Sequence, residues 1–109
     1  MTKVKYKEIF KLKVMLDSGN IPYEFYDNSL IDYQEHEIKY PSYQIIVYYP
    51  NEEEQIRLIS VIEGFGSYGE KEDLLEIMGC LTNEERECDE VKGCLTAEDV
   101  YNRIINNYK

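Results

Sequence analysis

The 109-residue chain has no tryptophan, a single histidine and no long hydrophobic run. Its longest apolar stretch, 45–49, is five residues, where about 20 are needed to cross a bilayer, so no membrane span is expected. The opening MTKVKYKEIFKLK is basic, but it has neither a continuous apolar region nor a small-residue cleavage site, so no secretory signal is expected. Cysteine is sparse and odd in number: Cys80, Cys88 and Cys94 cannot all pair within one chain, which favours free thiols in a reducing cytoplasm. Seven and then five residues separate them, so the close pair that marks a zinc site is missing. His36 has no serine or cysteine at a spacing that suggests nucleophilic catalysis. The acids Asp17, Asp27, Asp32, Glu35 and Glu37 do not follow a calcium-loop pattern. No metal or cofactor is expected.

Positive charge is also scarce. Twelve Lys and Arg stand against 22 Asp and Glu, for a net charge of −10. The first 13 residues hold five lysines against Glu8, which leaves −14 for the remainder. Phosphate binding needs a basic surface that displaces counterions, so free nucleic acid is a poor partner. An acidic surface instead suits a basic groove on another protein, or simply keeps a small protein soluble.

What is present is a 43% hydrophobic chain with 11 tyrosines, enough for one modest core in a single domain, 1–109. Residues 5–18 place Tyr6, Ile9, Phe10, Leu12, Met15 and Leu16 at helical spacing, with Gly19-Asn20 as the stop and Pro22 beyond. The stretch 22–28 alternates as a strand, 29–40 reads as a long loop or irregular edge, and 42–49 is the clearest strand. A polar turn, 50–55, leads into a third strand, 56–63, which predicts an antiparallel hairpin. Apolar residues on both faces predict helices covering part of each. Residues 70–79 read as a helix stopped by Gly79, and two further helices follow. Gly-Cys-Leu-Thr occurs at 79–82 and again at 93–96, each glycine reading as a left-handed stop. Thr82 with Glu85, and Thr96 with Asp99, have the spacing of capping boxes. The predicted fold is α+β: an N-terminal helix, a three-stranded antiparallel meander, and two or three C-terminal helices.

Three constellations could carry chemistry. The turn Gly64-Phe65-Gly66-Ser67-Tyr68-Gly69 meets Gly-x-Gly-x-x-Gly and reads as lying between a strand and a helix. It can be a tight turn that presents Phe65 and Tyr68, or a phosphate cradle; Glu63, Glu70, Glu72 and Asp73 beside it oppose added phosphate. Glu37-Ile38-Lys39 has the E-x-K form of metal-dependent nucleases, but it lies in the irregular region. Finally, the acids Glu52, Glu53 and Glu54, with Glu70, Glu72 and Asp73, form a candidate acidic face. Tyrosine is enriched at protein interfaces, and Tyr26, Tyr33, Tyr40, Tyr48 and Tyr68 are candidates for exposure, while Tyr43, Tyr49, Tyr101 and Tyr108 read as core or half-buried.

The stretches Gly19–Glu24, Tyr43–Ile45, Ser60–Gly69, Asp73–Gly79 and Leu95–Val100, above all the EGFGSYG…DLLEIMG…LTAEDV combination, resemble a small acidic protein family of Firmicutes phages and prophages. The similarity spans most of the chain. The family has no established activity, so the resemblance implies a setting, a phage accessory product in bacterial cytoplasm, and no catalytic residue. The resulting expectation is a non-enzymatic protein-binding module, an acidic inhibitor of a host nucleic-acid-handling or defence protein. The alternatives are a small-nucleotide sequestering protein using the Gly64–Gly69 turn, and a self-associating structural module or homodimer.

Overall fold

A computed structural model describes residues 6–32, 34, 37–64, 67 and 69–108, without the side chains of 31, 32 and 37–39. Helix α1 (Glu8–Ser18) is followed by strands β1 (Glu24–Asp27), β2 (Leu30–Asp32), β3 (Glu37–Tyr40), β4 (Ser42–Tyr48) and β5 (Arg57–Gly64). A 3₁₀ turn (Glu70–Glu72), β6 (Leu75–Met78), α2 (Asn83–Cys88), β7 (Val91–Leu95) and α3 (Ala97–Asn107) complete the order.

The α+β class and the N-terminal helix hold, but the three-stranded meander does not. The sheet has five antiparallel strands in the order β1-β4-β5-β6-β7, and β2 and β3 form a separate two-stranded sheet. The residues read as a helix over 70–79 form one 3₁₀ turn and then β6, paired Val61 to Ile77 with β5. Residues 91–95, read as punctuation between helices, form edge strand β7. The irregular stretch 29–40 supplies β2 and β3. The β4–β5 hairpin is as expected, closed where Tyr49 N–H donates to Ile56 O.

Odd-numbered residues of the central strands enter one core: Ile45 and Val47, Ile59 and Val61, Leu75 and Ile77. Ile9, Leu12 and Leu16 of α1, and Ala97, Val100 and Ile104 of α3, meet them there. α1 packs on β4 and β5, α3 packs on β5 and β6, and the two helices touch each other. Both therefore cover the same face of the sheet, not one face each. Phe10, Phe25 and Tyr43 stack across α1, β1 and β4, with centroids 5.0–6.0 Å apart.

Both Gly-Cys-Leu-Thr copies do end in capped helices. Thr82 and Thr96 accept from Glu85 N and Asp99 N at 3.2 Å, and both reciprocal bonds are present. Gly79, at φ 104°, has the positive φ expected of a stop, but Gly93 lies inside β7, and the left-handed residues common to both copies are Cys80 (φ 55°) and Cys94 (φ 60°). At the second copy the strand register shifts, with Gly93 and Cys94 of β7 opposite Glu76 alone of β6, so Cys94 sits in a bulge.

Candidate functional site

The two acidic clusters lie at opposite ends of β5. Glu52, Glu53 and Glu54 sit in the β4–β5 turn, and Glu70, Glu72 and Asp73 follow Gly64. Eight strand residues separate them, about 23–26 Å of extended chain. They do not form one acidic face.

At the Gly64 end Glu70 and Asp73 are engaged by the fold, while Glu72 is exposed. Asp73 Oδ1 accepts from Lys7 N at 2.8 Å and Glu8 N at 3.2 Å, capping α1 from 65 residues away in sequence. Glu70 accepts from the Tyr6 hydroxyl at 2.6 Å. Glu8 in turn reaches Ala97 N at 2.6 Å, satisfying the first amide of α3. Glu63 is fully buried, and its Oε1 accepts from Ile9 N at 3.1 Å. Its Oε2 meets no donor among the described residues. Burial, and then the facing Asp73 carboxyl, push Glu63 up to about 9, which favours its neutral, protonated form.

The described residues of the glycine turn, Gly64, Ser67 and Gly69, serve the fold in the same way. Gly64 pairs with Ser42, and a Cβ there would lie 2.5 Å from Ser42 Cα and 2.8 Å from Pro41 O. What approaches this glycine closely is the neighbouring strand. Gly69, at φ 93°, leads into a three-residue 3₁₀ turn, so the helix N-terminus that a phosphate cradle needs does not follow. Ser67 Oγ closes the turn onto Gly64 O at 2.8 Å. Phe65, Gly66 and Tyr68 of the candidate loop lie outside the described residues, as do Tyr33, Glu35, His36 and the side chains of Glu37 and Lys39. Among the described residues no group of three His, Cys, Asp or Glu is placed to hold a metal ion.

The other end of β5 is built differently. The start of β1, the end of β4, the hairpin turn and the last residue after α3 converge on an open groove of about 330 Å³. Tyr23, Tyr48, Tyr49 and Tyr108 line it with Glu24, Glu52 and Glu54. Glu24 is held by two phenols. The hydroxyls of Tyr48 and Tyr26 both donate to its carboxylate, the latter at 2.8 Å. The Tyr48 bond first, and then the Tyr26 bond, lower its pKa and keep it ionised. Arg57, across the hairpin from Tyr48, favours that charge from a distance without forming an ion pair. Glu52, Glu53 and Glu54 are exposed, and none makes a hydrogen bond or ion pair with a described residue.

A helix end adds to this field. Tyr108, the C-cap residue of α3, lines the groove, so the C-terminus of α3 lies beside it. α3 has no basic residue in its last turn, so among the described residues no lysine or arginine there offsets its negative end.

The sequence pointed to Glu52 and Glu54 and to Tyr26 and Tyr48 as exposed tyrosines, but not to Glu24 or to their convergence with Tyr23, Tyr49 and Tyr108. Tyr49, expected to be core or half-buried, is 39% exposed, while Tyr26 and Tyr40 are exposed as expected. The available signal was Glu24 and Tyr26 two apart in a strand, which places both on one face.

A small α+β domain, with a five-stranded antiparallel sheet covered on one face by two helices, is the class that this architecture defines. None of its described helices is long and apolar enough to cross a membrane. Comparison with protein-family models, with curated proteins and with solved structures finds no match to the chain.

Proposed function

We propose that the protein is a non-enzymatic binding module, a phage-type accessory product acting in bacterial cytoplasm, that engages a basic protein partner through the groove and the hairpin tip beside it. The observation that carries this reading is the concentration of uncommitted negative charge there. Glu52, Glu53 and Glu54 are exposed with no partner among the described residues, Glu24 is held ionised, and the C-terminus of α3 lies beside the groove. Ionised carboxylates accept hydrogen bonds and attract cations, whereas a general acid at neutral pH needs a raised pKa. Tyrosines at the site supply apolar area with polar tips, the composition of an interface core. A protein that handles nucleic acid presents the complementary basic surface, so occupying that surface would inhibit it.

The test is affinity capture from bacterial lysate at low and moderate salt, using the wild type and a Glu52→Lys/Glu53→Lys/Glu54→Lys variant. The expected result is a basic protein retained by the wild type, released by salt and lost by the variant. Retention that survives the charge reversal contradicts the reading.

A further inference from the structure

We infer that the tyrosine-lined groove is an arginine pocket, in which a guanidinium from the partner lies against Tyr49 and meets the carboxylate of Glu24. This deepens the proposed function and rests on its acidic-surface reading. Glu24 has the features of a prearranged anion. Two phenols donate to it from defined positions on β1 and β4, and no lysine or arginine of the described chain pairs with it. Aromatic rings supply much of the groove's lining: Tyr23 donates its own hydroxyl to Asp17 at 2.8 Å, leaving its ring to line the wall. Pro22 and Pro50 flank the same opening, so its walls are flat and carry no backbone donor at those two positions.

A planar, weakly hydrated cation suits such walls better than a compact ammonium. Guanidinium stacks on a phenol ring while its edge donates two parallel hydrogen bonds to a carboxylate; lysine can supply the charge but not the plane. Glu52 and Glu54 lie on the rim, where they steer a cation inwards and add little to holding it. The C-terminus of α3 acts in the same direction. The occupant is therefore an arginine side chain presented by a protein, and the groove's own charge excludes acidic and phosphate groups.

The test is a titration of the ¹⁵N-labelled protein with blocked arginine amide and, separately, blocked lysine amide at matched salt. The expected result is amide shifts centred on Tyr23, Glu24, Tyr48, Tyr49 and Gln55, with arginine bound about fivefold more tightly than lysine, the scale of one cation–π contact. Glu24→Gln should weaken arginine several-fold. Tyr49→Ala, at an exposed position, should erase the preference for arginine while leaving the spectrum otherwise folded. Equal binding of the two amides, or an arginine affinity unmoved by Glu24→Gln, overturns the pocket. If partner capture still fails on reversing Glu52–Glu54, the acidic-surface reading survives that loss. Arginine binding as described, with capture indifferent to the reversal, keeps the pocket and overturns the broader reading.

Discussion

A glutamate in an apolar layer must either find donors for both oxygens or keep its proton, and Glu63 divides the work. One oxygen takes the Ile9 amide, and the other is left facing an acid. In an unfolded chain it would lose its proton near 4.5, whereas in the fold it keeps the proton to about 9. Between those values the folded state holds a proton that the unfolded state has released. Its contribution to stability therefore falls as pH rises, by up to about 1.4 kcal/mol per pH unit, from fully favourable below about 4.5 to exhausted above about 9. Glu63→Gln keeps a donor and an acceptor in place and has nothing to ionise. Thermal melts from pH 5 to 9 should show the variant gaining on the wild type as pH rises, by several degrees at pH 8. Parallel curves would show that Glu63 is ionised in the fold.

At the scale of elements, local chemistry was readable and pairing was not. α1, the β4–β5 hairpin and both capping boxes follow from residues within a few positions of each other. β6 does not: Leu74, Leu75 and Met78 fall at helical spacing among glutamates, good helix formers, and only pairing with β5 makes them a strand. β7 hides behind a glycine and a left-handed cysteine at its bulge. The groove draws Glu24, Tyr49 and Tyr108 from three places in the chain, with no spacing to connect them. Gly64 belongs to the same lesson. In sequence it is the first glycine of a phosphate motif, and in the fold it is the residue that lets β5 lie against Ser42 and Pro41. Gly64→Ala should destabilise by about 1–3 kcal/mol through that backbone clash, read as a lower denaturant midpoint with an unchanged slope. An unchanged midpoint would mean that the pairing ends before Gly64.

Across the whole molecule, which measures 45 × 30 × 23 Å, the same residue type serves opposite ends in different ways. Glu8, Glu70 and Asp73 satisfy donors around the helix N-termini, and their charge is absorbed by the fold. At the other end, beside the C-terminus of α3, Glu24, Glu52 and Glu54 pair with no cation among the described residues, and the tyrosines cluster beside them. Net charge alone does not separate these two roles. The most direct measurement compares partner retention by two triple variants of identical net charge. One reverses the hairpin tip, Glu52, Glu53 and Glu54; the other reverses exposed acids elsewhere, Glu72, Glu87 and Glu90. Loss of the partner with the first variant and retention with the second is the predicted result. Equal loss from both would reduce the acidic surface to unspecific attraction and contradict a dedicated site at the groove.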